Sequence, residues 1–201
     1  HPQTVDMVSV KEQGINIAAF HGSVGGTQMD NGWVMPDSKA EVQLSMFDGY
    51  DFVLLGDIHK RQFLAERPDK NGIKKPFVAY PGSTIQQNFG EDEQKGFLIW
   101  DIRAKDDWDV EFVELDNHQP FITFPWQGSV EDTVKALQGA RKLLEGSRYR
   151  LTSRTPLNHL LERQMAHALK VDHGGQEVLF KASETLGYDM IKHGDIAVKK
   201  S

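Results

Sequence analysis

The sequence predicts an α/β fold, on three observations. Apolar runs at Ile15–Phe20, Asp51–Leu55 and Pro76–Tyr80 each stop in a polar, glycine-containing loop. Strand-like segments crowd residues 51–125, separated by turn signals. Beyond residue 126 the apolar spacing becomes helical and alternates with short strands. The expected division is a first domain over residues 1–120 and a small α/β domain over 121–201.

Strand Ile15–Phe20 leads into a glycine-rich loop over His21–Trp33. A helix is expected from Ser38 to about Phe47, capped by Asp37 or Ser38, with Val42, Met46 and Phe47 at helical spacing. Strand Asp51–Leu55 follows. Phe63–Glu66 and Pro76–Tyr80 are expected to pair around Asn71-Gly72, a dipeptide that favours positive φ. Gly96–Ile102 and Trp108–Leu115 form an expected hairpin. In its second arm Val110 and Phe112 share one face, and Glu111, Val113 and Leu115 the other. These strands would belong to one sheet of a sandwich.

Asn117–Trp126 is the candidate boundary, because Pro120 and Pro125 interrupt regular structure there. Ser129 then caps a helix carrying Val130, Val134, Leu137 and Leu144 along one face, ending near Gly146. Tyr149–Thr152 is a short strand. Pro156 opens a second helix with Leu157, Leu160, Leu161, Ala168 and Leu169 inward. Gln176–Lys181 is the last strand.

The chain has 201 residues and 39% hydrophobic content, enough for a core. No apolar run is long enough to span a bilayer as a helix. Cysteine is absent, which rules out disulfides and thiolate metal sites and fits a reducing compartment. The expected location is the cytoplasm of a bacterial or phage-infected cell. The net charge of −6 argues against a nucleic-acid binder. Its distribution argues the other way: residues 133–170 hold 8 basic and 2 acidic residues. Arg148 and Arg150 alternate on a strand there and would share one face, where phosphates could meet them. Ordinary solvated helix faces, or pairing with Glu145 and Glu162, would explain the same charges.

The most informative stretch is Tyr50–Lys60, YDFVLLGDIHK. A buried strand ends at Gly56 and presents Asp57 and His59. Two residues apart on an extended backbone, they would point to one side. Carboxylate and imidazole are ligands for manganese, iron or zinc. A plain polar turn accounts for the segment equally well. Upstream, a strand delivers His21; downstream, one delivers Gly82 and Ser83. If the three strands lie side by side, His21, Asp57, His59 and Ser83 share one rim of a sheet.

Phe20-His21-Gly22, then YDFVLLGDIHK, then YPGSTIQQNFGE (Tyr80–Glu91) and Lys95–Asp101 together resemble the later motifs of SbcD-type DNA repair exonucleases. These are calcineurin-like metallophosphoesterases, and the wording here is closer to viral or phage members. The resemblance implies a partial metallophosphoesterase β-sandwich flanked by helices, followed by a DNA-binding capping domain. It implies two divalent ions, manganese first and magnesium as the alternative, that hydrolyse phosphodiesters of DNA. His21 matches the isolated ligand histidine, and His59 the second histidine of the family's Gly-His-x-His. Asp57 stands where the first would be, a departure. Gly82 and Ser83 would orient substrate, with Arg148 and Arg150 on the DNA backbone. The family's Asp-x-His, Gly-Asp and Gly-Asn-His-Asp motifs do not occur before His21. The expectation is an N-terminally truncated, inactive piece of an active parent, in which no residue can be named as general acid. The implied partners are DNA, an SbcC-type coiled-coil ATPase and a second copy of the enzyme. A small-molecule phosphodiesterase and a non-catalytic scaffold are the other readings.

Overall fold

The structure, a computed structural model, describes residues 9–183; the outer ends of both expected domains, 1–8 and 184–201, lie outside them. The chain is mixed α/β and divides into two compact units. One comprises the residues up to Gln86 with Gly90–Asn117; the other comprises Gln87–Phe89 and the residues from His118.

The first unit is built on a four-stranded sheet of β1 (Ile17–His21), β2 (Phe52–Gly56), β3 (Gln62–Pro68) and β4 (Lys74–Tyr80), in the order β1-β2-β4-β3. Strands β1, β2 and β4 run parallel, and β3 is antiparallel to β4. The turn between β3 and β4 is the one Asn71-Gly72 predicted. Asp69 Oδ1 accepts the N–H groups of Asn71 and Ile73, at 2.8 and 2.9 Å.

One face of β2 buries Val53 and Leu55 against Val24, Val42 and Phe47 of the irregular segment between β1 and β2. The other buries Phe52 against Trp108 of a separate hairpin, β5 (Lys95–Ala104) and β6 (Asp107–Leu115). Trp108 is fully buried and its indole donates to the Pro76 carbonyl at 2.8 Å. The hairpin alternates as expected, but it is its own two-stranded sheet rather than part of the first.

The helix expected at Ser38–Phe47 does not form. Turns follow Pro36, and only Leu44–Phe47 coils, as a 3-10 turn. Val42 is spent on a bridge to Val24, with Gly25 N–H donating to the Val42 carbonyl at 3.0 Å. That pairing needs extended backbone where a helix would run. Among the described residues the first unit therefore has no flanking α-helix.

The second unit is a β-α-β-α-β module: β7 (Phe121–Pro125), α1 (Val130–Ala140), β8 (Arg148–Ser153), α2 (His159–His167) and β9 (Glu177–Ala182). Its strands are all parallel, in the order β7-β8-β9. β7 was not expected. Its prolines stand just before and at the end of the strand, where a missing N–H disrupts no ladder, and Ile122 and Phe124 point into the core. Ser129 caps α1 by accepting from the Asp132 N–H at 3.1 Å, as expected, but the helix stops before Leu144. Asn158 caps α2, which opens at His159 rather than at Pro156. Leu160, expected inward, is 64% exposed, whereas Met165 and Leu169 are fully buried. No helix among the described residues is long and apolar enough to cross a membrane.

Candidate functional site

Because β1, β2 and β4 are parallel neighbours, their carboxyl ends open on one edge. His21 ends β1, Gly56 ends β2, and Tyr80 ends β4 just before Pro81-Gly82-Ser83. The rim expected from sequence is thus brought together. In open α/β sheets this edge is where ligands bind.

Local packing explains the spacing. His21 pairs with Gly56 across the ladder, and a Cβ on Gly56 would stand 3.0 Å from the His21 ring. Glycine leaves room for the imidazole across that strand end; any larger residue would make the ring give way by a few tenths of an ångström. Buried Tyr80 ties β4 to the loop after His21. Its hydroxyl donates to the Gly22 carbonyl at 2.7 Å and accepts the Val24 N–H at 3.0 Å. Burial pushes this phenol above its ordinary pKa.

Asp57 departs from the expected extended geometry. It is the described non-glycine residue with positive φ, at 91°. An L-residue in that region costs about 1–2 kcal/mol. Ile58 turns into the core while Asp57 is exposed and His59 half-buried. Inward and outward positions still alternate, but on a turn rather than a strand. Among the described residues the Asp57 carboxylate makes no hydrogen bond.

His59 is held from several sides. Its Nδ1 lies 3.2 Å from Glu91 Oε1, and the other Glu91 oxygen is 2.8 Å from Lys95 Nζ. The side chains of Glu91 and Lys95 are 0% and 4% exposed, against 39% for His59. Lys95 Nζ also donates to the His59 carbonyl at 3.2 Å, and so does the Ser83 N–H. Gly82 makes this approach with φ 83°; a Cβ there would stand 2.9 Å from the His59 carbonyl oxygen. Ser83 Oγ is buried without a hydrogen-bond partner among the described residues, and the residue lines a cavity of about 60 Å³ with His59, Arg61 and Lys95.

The donor types suit a hard divalent ion, but the arrangement does not complete a site. Among the described residues no three His, Cys, Asp or Glu side chains converge to hold a metal ion. His21, Asp57 and His59 share a rim without forming a closed ligand set.

Sequence reasoning missed Glu91 and Lys95. Both lie in the quoted motif segments, yet no role was expected of them. A signal existed: Lys95 opens an apolar strand, and a lysine there needs a carboxylate once buried.

In the second unit Arg148 and Arg150 share the face of β8 opposite buried Tyr149 and Leu151. Arg148 stacks over the Phe121 ring, 4.9 Å from its centroid. Arg150 donates to Thr123 Oγ1 and to the Phe89 carbonyl, each at 3.1 Å. Part of its fork is therefore occupied, and neither arginine pairs with Glu145 or Glu162 among the described residues.

The chain is similar to a protein of Acanthamoeba polyphaga mimivirus described as "Uncharacterized protein R555", with 33% identity over 108 residues. Those residues are 53% of this chain and 7% of that protein, so the chain matches only a small part of its relative. No known family profile matches the chain.

Proposed function

We propose that this chain is part of a metal-dependent phosphodiesterase acting on DNA, an exonuclease or endonuclease subunit of the SbcD type working in the cytoplasm. The observation that carries the reading is the common rim: three parallel strands deliver His21, Asp57 with His59, and Gly82 with Ser83 to one edge. The strained backbone at Asp57 supports it, because strain persists where a side chain must be aimed. His21, Asp57 and His59 would supply part of the ligand set for two manganese ions, with magnesium as the alternative. The remaining donors would come from outside the described residues. Bound there, the ions would supply Lewis-acid chemistry at phosphorus. Gly82 would help to orient substrate by letting the Ser83 N–H reach the His59 carbonyl. Ser83 would orient substrate from the wall of the small cavity beside His59. Arg148 presents a cation to a phosphate backbone, and Arg150 does so with its remaining donors. An SbcC-type ATPase and a second copy of the enzyme are the proposed protein partners.

The test is manganese-dependent cleavage of linear duplex DNA, by this chain and by a polypeptide extended with the residues encoded upstream of His1. The reading expects cleavage by the extended protein, its loss in His59→Ala, and DNA binding within a few-fold of the parent. Cleavage that survives His59→Ala, or none in either protein, contradicts it. Arg148→Ala should lower the salt slope of DNA binding by about 1. An unchanged slope removes Arg148 from the DNA interface.

A second reading, a non-catalytic DNA-binding scaffold, has one observation in its favour. The three rim donors do not close into a metal site among the described residues. Salt-sensitive DNA binding by an extended protein that takes up no manganese would select it.

A further inference from the structure

We infer that Glu91 is a positioning residue for His59, holding the imidazole as the Nδ1–H tautomer so that Nε2 presents its lone pair at the rim. The inference rests on the reading of His59 as a site residue.

The geometry gives the proton one place. Glu91 is wholly buried, and the Lys95 ammonium at 2.8 Å balances its charge. A carboxylate only accepts hydrogen bonds. The imidazole nitrogen 3.2 Å from Glu91 Oε1 is Nδ1. Nδ1 must therefore carry the hydrogen, and in the neutral ring Nε2 is left as the base or ligand. The buried carboxylate occupies the Nδ1 side, and the half-buried His59 lines the small cavity at the rim.

The arrangement is a poor device for stability alone. A buried ion pair gains little over apolar residues of the same size, because desolvation consumes its attraction. Nor is it needed to close the two loops, since the Ser83 N–H already bonds the His59 carbonyl and the Gly96 N–H bonds the Ser83 carbonyl. What the pair adds is orientation of one ring. Glu91 takes the His59 side chain, Lys95 takes its carbonyl, and each holds the other. Gln86 fixes the far side, donating from Nε2 to the Glu91 carbonyl at 2.9 Å. Ser83, Gln86, Glu91 and Lys95 thus act as a clamp on the loop that follows β2. A carboxylate behind a histidine is also the arrangement that orients metal-binding imidazoles in general.

The experiment is a long-range proton–nitrogen correlation spectrum of the 201-residue chain with nitrogen-15 histidine, without metal. It is recorded above the ordinary imidazole pKa of about 6.5, with the His59 signals assigned by their loss in His59→Gln. The native chain should show His59 with a protonated Nδ1 and an unprotonated Nε2. The double substitution Glu91→Met with Lys95→Met removes both charges at similar volume and should fold. In it the Nδ1–H preference should be lost. Zinc, as a diamagnetic probe, should shift Nε2 in the native chain, and its affinity should fall about 10- to 100-fold in the double variant. An Nε2–H ring in the native chain, or an unchanged tautomer in the double variant, overturns the inference. A native Nδ1–H ring that ignores zinc supports the positioning role and counts against the metal reading.

Discussion

Two aspartates stand at turns of the same unit, and their surroundings differ in every respect. At the β3–β4 turn, Asp69 accepts two backbone N–H groups and an ion pair from Lys75 at 2.9 Å, and Gly72 takes the positive φ. At the turn after β2, Asp57 itself takes the positive φ, is exposed, and makes no hydrogen bond among the described residues. The first turn assigns each conformational demand to the residue that meets it at least cost. The second places an acidic side chain where glycine would be the stable choice. A fold keeps such an arrangement when the side chain is needed there.

The largest expected effect lies beside the strained turn. Glu91→Ala leaves the Lys95 ammonium buried without its partner, and should destabilise the first unit by about 3–5 kcal/mol. Denaturant unfolding checks this; a loss within experimental error would mean that Lys95 escapes to solvent.

Acid should act next, and through the other turn. Asp69 is held down to about 2, by Lys75 first and by the Asn71 and Ile73 N–H groups, against an ordinary value of 3.8. Asp107 is likewise held at about 2 by Arg103 and Lys70. A lowered folded-state pKa means the contribution is complete above about pH 4 and is lost as the pH falls toward 2. Thermal unfolding should show that decline in the native chain. Asp69→Asn keeps an acceptor for the two N–H groups but loses the charge, so it should flatten the decline. An equally steep decline in Asp69→Asn would place the acid sensitivity elsewhere.

The third pair of substitutions exchanges the two solutions. Gly72→Ala has open space around its Cβ, so its cost is backbone strain alone, about 1–2 kcal/mol. Asp57→Gly should gain a comparable or smaller amount, about 1 kcal/mol after the added chain entropy of glycine. It should also weaken manganese binding. Opposite signs at the two turns sustain the contrast; a loss of stability in Asp57→Gly would show that the carboxylate supports the fold.

Much of this was legible in the sequence, and the exceptions have physical causes. The rim was readable because each of its strands is an apolar run that stops in a polar, glycine-containing loop. The β3–β4 turn was readable because Asn-Gly specifies its own backbone. The helix expected at residues 38–47 failed because Val42 pairs with Val24, a contact eighteen residues away that local periodicity does not encode. β7 stayed hidden because its two prolines read as interruption when they mark its ends. Glu91 was opaque for a related reason: its partner His59 is 32 residues distant, and only the folded loops bring a buried carboxylate behind that ring.

The proposed role of the strand-end rim is to supply His21, Asp57 and His59 as part of a divalent-ion site. Its most direct test is manganese binding, measured by the loss of the free-ion electron paramagnetic resonance signal, for the extended protein and its triple variant His21→Ala, Asp57→Asn, His59→Ala. Uptake by the extended protein that is lost in a still-folded triple variant is the predicted result. Equal uptake by both proteins, or none by either, would contradict it.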